Sequence, residues 1–251
     1  MNILSGILDL LFPPRQVCPL CGEAQEKGSI CSRCLKKVTD YRNEPVCLKC
    51  GRYFLGLQRI RQRTAQAGEG KGWCRDCLEL DRYFYMARSV GPYEDDLKKA
   101  VLRLKFSGKR DLAGHLSQLM FSFIAGNIYF NRAELITAVP LSRKRLKQRG
   151  FNQAELLAGG LAERMAVPLL PVVKKIRETM PQTGLDRAGR EENLAGAFEL
   201  TSLEAVRGKT VLIIDDVITT GNTLNTVSEV FIRGGASKIL CLTVAAGRMS
   251  D

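Results

Sequence analysis

Histidine is nearly absent from this chain of 251 residues, because His115 is the only one. This scarcity excludes a histidine-based catalytic dyad and a histidine-based metal site, and it favours a partly buried spacer over a base at His115. Long apolar runs are absent as well. No run approaches the roughly 18 residues that span a bilayer, so we expect no transmembrane segment.

A secretory signal is also missing from the opening segment, MNILSGILDLLFPP. The segment carries Asp9, lacks a basic start and has no small-residue cleavage site. We expect one amphipathic helix that docks on the body of the protein through residues such as Ile3 and Ile7, with weak membrane association as the alternative. The expected location is the cytoplasm, with a peripheral position at the inner membrane face as its variant.

Acidic residues are fewer than basic ones, 26 against 38, which gives a formal charge of +12. Such a surface attracts anions, either phosphates or nucleic acid, and the charge alone does not choose between them.

Cysteine, in contrast, is plentiful before residue 80, where eight of the nine form four CxxC pairs. Two residues between thiols let both sulfurs reach one tetrahedral ion, and the unit CPLCG…CSRCL repeats as CLKCG…CRDCL. We predict a double zinc ribbon with two structural Zn²⁺ sites. The ligands are Cys18, Cys21, Cys31 and Cys34 in the first unit, and Cys47, Cys50, Cys74 and Cys77 in the second.

Two other interpretations of these cysteines are weaker. A disulfide framework fits poorly without a secretory signal, and four copies in register exceed what redox chemistry needs. Within each unit we expect Gly22 or Gly51 to form the tight turn of a knuckle, and Leu35 or Leu78 to pack beneath the ribbon. The long basic insert at 51–73 is expected to be a solvated loop, with binding of an acidic partner as the alternative.

After residue 80 the pattern becomes regular, which predicts an N-terminal region at 1–80 and a second domain at 81–251. Strands are expected at 87–93, 134–140, 167–173, 210–216 and 238–245, and helices at 94–106, 111–127, 152–165 and after Gly221. This alternation predicts an α/β fold with a mainly parallel sheet. Ligands of such sheets bind at the carboxyl ends of strands. Cys241, in the last strand, is expected to be a buried thiol.

The segment VLIIDDVITTGNT at 211–223 carries the clearest chemistry. A buried strand runs into two acids, and a small-residue loop then opens a helix, where free N–H groups and the helix dipole favour an anion. The acids would repel a phosphate but suit adjacent hydroxyls or a divalent metal, so a ribose 5-phosphate fits. The plain alternative is a strand–turn–helix with capping threonines.

Two further segments add positive charge. A cluster follows the strand that ends near Pro140, in SRKRLKQRG, and its alternative is a solvated helix start. The polar stretch 177–198 suits a hood over a diphosphate, with Thr179, Gln182 and Asn193 as polar members; surface helix charge is the alternative there. Lys105 precedes a glycine turn in KFSG.

The segment 211–223 resembles the motif with which type I phosphoribosyltransferases bind 5-phosphoribosyl 1-diphosphate (PRPP). The resemblance implies that the loop grips the 5-phosphate, that the acids hold the ribose hydroxyls, that Mg²⁺ accompanies PRPP, and that Asp215, Asp216 and Arg143 are catalytic. The residues it implies for PRPP binding are Leu141, Ser142, Arg143, Arg187, Arg190, Asp215, Asp216, Val217, Thr219, Thr220, Gly221, Asn222 and Thr223.

The blocks VPLSRKRLKQRGFNQAELLA and RETMPQTGLDRAGREENLAGAF, followed by DDVITTGNT, occur in the order and spacing of the ComF family. That resemblance implies a double zinc ribbon before a phosphoribosyltransferase domain, and a role in competence, DNA uptake or DNA utilisation. It implies single-stranded DNA and competence-machinery proteins such as a DNA translocase as partners. Either an enzyme with an unknown acceptor or a PRPP- or nucleotide-sensing, DNA-binding factor fits. Tyr53, Phe54 and Trp73 are candidates for stacking on bases, or for packing under the zinc.

Overall fold

The computed structural model describes residues 17–25, 29–55, 72–178, 194 and 196–249. Its helices are α1 (Ser32–Tyr41), α2 (Arg75–Glu79), α3 (Asp95–Phe106), α4 (Leu112–Ile124), α5 (Arg143–Arg149), α6 (Gln153–Met165) and α7 (Asn222–Arg233). A 3-10 turn covers Phe130–Arg132. The strands are β1 (Tyr53–Phe54), β2 (Met86–Pro92), β3 (Leu135–Ala138), β4 (Val173–Lys175), β5 (Phe198–Leu200), β6 (Thr210–Ile218), β7 (Lys238–Ala246) and β8 (Arg248–Met249).

Four parallel strands form the central sheet in the order β2-β7-β6-β3. The strands β6 and β7 occupy the middle and are apolar on both faces, as strands covered on both sides must be. Two-stranded pairs flank this sheet: β4 with β5 is antiparallel, and β1 with β8 is parallel. The predicted α/β fold with a mainly parallel sheet is confirmed.

Each face of the sheet carries its own hydrophobic layer. Leu212 and Ile214 of β6 point into the layer that contains α3, α4 and α6. Val211 and Ile213, which alternate with them along the strand, point into the layer that contains α7. Cys241 lies in this second layer with no exposed surface, as expected of a buried thiol.

The cysteine units divide between these two layers. The first unit packs with Leu97, Val101 and Leu104 of α3, and the second packs with Phe84, Leu224 and Met249 on the opposite face. The N-terminal region therefore shares its core with the sheet. The predicted boundary between residues 80 and 81 stays a prediction.

One expected strand is wrong. The segment 167–173 does not form a strand of the central sheet; Leu169 makes only an isolated bridge to Ile136, and pairing begins at Val173, where β4 meets β5 instead. The two prolines of this segment, Pro168 and Pro171, explain the difference, because proline has no N–H to donate to a sheet ladder. Within the part of the chain that the structure describes, no helix has the length and apolarity to cross a bilayer.

Candidate functional site

The two cysteine units form two compact tetrads. In each, the four sulfurs lie within 4.8 Å of one another. The distance between Cys21 and Cys31 Sγ is 3.9 Å, and that between Cys50 and Cys74 Sγ is 3.7 Å. Sulfurs bound to one tetrahedral zinc at about 2.3 Å stand about 3.8 Å apart. Both tetrads therefore fit the predicted Zn(Cys)₄ sites.

The knuckle glycines and the leucines behave differently. Gly22 and Gly51 have φ angles of +82° and +70°, so both adopt the left-handed conformation that the tight turn requires. The expectation that Leu35 and Leu78 pack beneath the ribbons is wrong, since they are 45% and 58% exposed. Leu35 follows Cys34 on α1, and Leu78 follows Cys77 on α2. In each helix the cysteine lies on the buried face, so the next residue points towards solvent.

The loop that the sequence predicts to bind phosphate, residues 219–223 and called the phosphate loop below, joins the end of β6 to the start of α7. Gly221 has φ +82° and is the residue just before the helix, so the chain turns there in a conformation that side chains disfavour. The first N–H groups of α7 face the loop without helical partners. Among the described residues, the buried Thr220 hydroxyl oxygen has no hydrogen-bond partner. The loop thus offers several donors to an anion.

The two acids lie at the carboxyl end of β6, beside this loop. Asp216 is 4% exposed, and its Oδ2 forms an ion pair with Lys105 Nζ at 3.0 Å. Asp215 accepts a hydrogen bond from the Asp216 N–H at 2.7 Å. Burial, followed by the negative charge of Asp216, raises the pKa of Asp215 to about 7. Asp216 is thus paired with a cation, while Asp215 has its pKa raised towards neutral pH.

A cavity of about 450 Å³ opens over the acids and the loop. From the predicted site it collects Leu141, Ser142, Asp215, Asp216, Val217, Thr219, Thr220, Gly221, Asn222 and Thr223. Four basic residues also line it: Lys105, Arg145, Arg149 and Lys175. The structure therefore brings carboxylates, a phosphate loop and cations into one space the size of a nucleotide-like ligand.

Three predicted residues do not appear in this lining, one of them because it points elsewhere and two because they lie outside the described residues. Arg143 is the exposed first residue of α5 and does not line the cavity, whereas Arg145 and Arg149 of the same helix do. Arg187 and Arg190, with Thr179, Gln182 and Asn193, lie outside the described residues. His115 is partly buried on α4 and does not line the cavity either.

Two buried arginines that were not predicted from the sequence donate hydrogen bonds to the phosphate loop. Arg82 donates to the Thr220 carbonyl oxygen at 3.1 Å and to Asn222 Oδ1 at 3.4 Å. Arg52 donates to the Thr219 carbonyl oxygen at 3.2 Å. Both lie far from the loop in sequence, in or just after the second cysteine unit, and a lone arginine in a basic chain carries no signal of such a contact.

Comparison with known families identifies both parts of the chain. Residues 7–78 match the model of the double zinc ribbon domain, and residues 152–250 match that of the phosphoribosyl transferase domain. With the parallel sheet and the tetrads, these matches confirm the predicted type I phosphoribosyltransferase fold with an N-terminal zinc-ribbon region.

Curated relatives match over most of their length. Competence protein F of Haemophilus influenzae is 30% identical over 218 residues, which cover 85% of this chain and 88% of the relative. The DNA utilization protein YhgH of Salmonella typhi is 29% identical over 238 residues, 91% of this chain and 97% of the relative. Competence protein ComFC of Bacillus subtilis is 27% identical over 238 residues, with coverages of 94% and 87%.

Proposed function

Because this chain belongs to the ComF family of competence and DNA-utilisation proteins, we propose that it binds PRPP or a related ribose 5-phosphate in the service of DNA uptake or use. The observation that carries the proposal is the loop 219–223, held against two carboxylates at the end of the central strand β6. A phosphate at the loop places an attached ribose over Asp215 and Asp216, whose oxygens accept hydrogen bonds from hydroxyls.

The 5-phosphate and the diphosphate of PRPP would use different parts of the cavity. The loop amides and threonine hydroxyls receive the 5-phosphate. The diphosphate would then lie near the cavity cations Lys105, Arg145 and Arg149. In this arrangement the role that the sequence resemblance gives to Arg143 passes to Arg145 and Arg149, because these two face the cavity.

Mg²⁺ is proposed as a companion of the ligand. The residues fit this only in part: among the described residues, the groups that could hold a metal by themselves are the two cysteine tetrads. Mg²⁺ keeps several waters and uses one or two carboxylates with substrate phosphates, and Asp215 and Asp216 could supply those carboxylates. When bound, the ion would offset negative charge on the diphosphate.

The proposed reaction is phosphoribosyl transfer to an acceptor of unknown identity. An acceptor lone pair forms a bond to ribose carbon 1, the bond from that carbon to the diphosphate oxygen breaks, and pyrophosphate leaves with the electron pair. Positive charge develops on the sugar, where Asp215 and Asp216 shield it, while the cavity cations stabilise the leaving group.

Calorimetry of the zinc-replete protein with PRPP and Mg²⁺ tests the binding step. Asp215→Asn with Asp216→Asn is expected to abolish binding while leaving the circular dichroism spectrum unchanged. The matched control is Asp95→Asn with Asp96→Asn, an adjacent acid pair at the start of α3 that does not line the cavity. Equal PRPP affinity in both double variants would refute the site. Pyrophosphate release upon addition of single nucleobases, nucleotides or single-stranded DNA would separate an enzyme from a sensor.

Binding of single-stranded DNA is a second candidate function, favoured by the surface of α5. The helix sequence RKRLKQR has five cations and no acid, and all of its residues except Arg149 are exposed. Phe106 is 68% exposed, and the Arg149 guanidinium lies 5.0 Å from its ring centroid. An aromatic ring among cations is what a stacked base and its phosphates require. Tyr53 cannot serve, since it is 1% exposed.

Fluorescence anisotropy with labelled single-stranded DNA tests this surface. Lys144→Gln with Lys147→Gln should weaken binding and flatten its salt dependence, because fewer counterions are released. The control, Lys36→Gln with Arg207→Gln, removes the same charge from exposed positions outside α5, and should leave the salt slope closer to that of the wild type. Identical slopes for all three proteins would exclude α5 as the DNA-binding surface.

A further inference from the structure

Arg52 connects the second cysteine tetrad to the phosphate loop. Its Nε donates to Cys50 Sγ at 3.4 Å, and its Nη2 donates to Cys74 Sγ at 3.4 Å and to Asp76 Oδ2 at 2.6 Å. Its Nη1 donates to the Thr219 carbonyl oxygen at 3.2 Å. The residue is only 6% exposed, so one buried guanidinium contacts two metal ligands and the first residue of the loop.

The chemistry of this contact depends on the metal. Four thiolates around one Zn²⁺ form a dianionic site, and N–H groups donated to the sulfurs stabilise that charge and orient the ligands. A guanidinium suits the position because its donors form a rigid planar fork. If the tetrad is emptied, the metal no longer fixes Cys50 Sγ, which accepts from Nε, or Cys74 Sγ, one of the two acceptors of Nη2, and Asp76 is the acidic partner that remains.

The backbone around Arg52 is fixed to the same region. An added Cβ at Gly51 would lie 2.5 Å from the Ala87 carbonyl oxygen, so the knuckle sits directly on β2. Tyr53 N–H donates to the Gly247 carbonyl oxygen at 3.3 Å, and Gly247 N–H donates to the Ile218 carbonyl oxygen at 2.8 Å. A chain of hydrogen bonds thus runs from the second ribbon to the last residue of β6, immediately before the loop.

The first tetrad has no such connection within the described residues. Arg103 of α3 donates to the carbonyl oxygens of Pro19 and Leu20, in the knuckle between Cys18 and Cys21. Neither this arginine nor the first tetrad contacts the loop, because they lie in the layer on the other side of the sheet. The first ribbon therefore provides an internal reference for the second.

We infer that Arg52 is a positioning residue that couples metal occupancy of the second tetrad to the conformation of the phosphate loop. The inference rests on the proposed function, since it takes the loop to be the ligand-binding element. Coupling between two sites is reciprocal. Zinc in the second tetrad should therefore favour PRPP binding, and bound PRPP should slow the loss of that zinc but not of the other.

Arg52→Gln tests the coupling, with Arg103→Gln as the matched control at the first tetrad. We expect Arg52→Gln to lower the zinc affinity of one site by about 10- to 100-fold, as loss of an outer hydrogen bond to a metal ligand does. Hydrogen exchange of the loop amides should become faster even without ligand, and PRPP affinity should fall by about tenfold or more, which is about 1.4 kcal/mol. Arg52→Lys keeps the positive charge but lacks the planar guanidinium. It should therefore recover only part of the zinc and PRPP affinity that Arg52→Gln loses. Arg103→Gln should leave loop exchange and PRPP affinity at wild-type values.

The wild-type protein provides a second test that needs no variant. A chelator is added stepwise, cysteine alkylation identifies the tetrad that has lost zinc, and loop exchange is followed in the same samples. Loop exchange that rises only when Cys47, Cys50, Cys74 and Cys77 become reactive supports the coupling. Unchanged loop exchange after the second tetrad is emptied overturns the coupling. This result does not depend on the variant, so it decides the question even if Arg52→Gln fails to fold. Absence of PRPP binding in the zinc-replete wild type would instead refute the proposed function, and loop exchange alone would then decide the coupling.

Discussion

The two cysteine tetrads come from a repeated sequence unit, yet they have different surroundings. The first packs against α3, whose Arg103 donates hydrogen bonds to carbonyl oxygens of its knuckle. The second packs against the opposite face of the sheet, and Arg52 joins its sulfurs to the phosphate loop. The same ligand set therefore stabilises a helical layer in one place and a ligand-binding loop in the other.

A structural metal site thus takes its role from the residues that it positions. Both tetrads would contribute folding free energy when zinc binds. Among the described residues, Arg52 bonds the second tetrad directly to the loop, whereas the first is linked to the cavity only through α3, which contacts that tetrad and carries Lys105. Paired substitutions in the two tetrads test this difference.

The largest effect is expected from removing two ligands of one tetrad at a time. Cys47→Ser with Cys50→Ser should release one zinc per chain and abolish PRPP binding, because the support of the loop is lost. Cys18→Ser with Cys21→Ser should release the other zinc and lower stability while PRPP affinity stays near the wild-type value. Metal analysis and calorimetry on the same samples give both quantities. Equal loss of PRPP binding in the two double variants would remove the distinction between the tetrads.

Metal analysis of the wild type is the reference for that experiment, and two zinc ions per chain are expected. One or none after gentle purification would contradict the assignment of both tetrads.

An intermediate effect is expected at the two knuckle glycines. Alanine at either position adopts a left-handed conformation that costs about 1–2 kcal/mol. At Gly22 the added methyl meets only the flexible end of Arg103, 3.4 Å away, whereas at Gly51 it meets the Ala87 backbone oxygen at 2.5 Å. Gly51→Ala should therefore lower the free energy of unfolding by about 1–3 kcal/mol more than Gly22→Ala, the usual range for overpacking. Urea unfolding of the zinc-replete proteins measures the difference, and equal losses would contradict the close approach of the second knuckle to β2.

The smallest effects, of opposite sign, are expected from two aspartates. The pKa of Asp215 is raised to about 7 by burial and by Asp216. Between about pH 4 and pH 7 the folded protein keeps this proton while the unfolded chain releases it, so stability falls as pH rises through this window. Asp215→Asn should remove that slope and raise the free energy of unfolding at pH 7 by about 1 kcal/mol, since partial exposure to the cavity moderates the penalty.

Asp95, near the first tetrad, should behave in the opposite way. Its hydrogen bond with Lys37 of α1 lowers its pKa, so the stability it adds is present above the unfolded pKa and is lost as pH falls through the lowered value. Asp95→Asn should therefore lose a small amount of stability near neutral pH. Unfolding of the wild type and both variants from pH 3 to pH 8 gives the contribution of each aspartate as the difference between wild type and variant, and contributions that change with pH in the same direction would contradict the assignment at Asp215.

The parts that the sequence predicted are those with local patterns. The CxxC pairs, the apolar strand before Asp215 and Asp216, and the glycine before α7 each depend on neighbours within a few residues. These patterns were enough for the α/β fold, both cysteine tetrads and the acid–loop arrangement.

The parts that it could not predict depend on contacts between distant segments. Arg52 and Thr219 are 167 positions apart, and only the folded sheet brings them together. Arg145 and Arg149 line the cavity and Arg143 does not, because residues four apart share one face of α5 while residues two apart point about 200° away from each other. The apolar segment 167–173 resembles a strand of the main sheet, yet pairing begins only at Val173, where β4 meets β5.

A crystal structure of the zinc-replete protein with PRPP and Mg²⁺ tests the central claim most directly. We expect the 5-phosphate on the amides of residues 219–223, the ribose hydroxyls on Asp215 and Asp216, and zinc in both tetrads. A ligand bound elsewhere on the chain, or a loop left empty at saturating PRPP, would contradict the account.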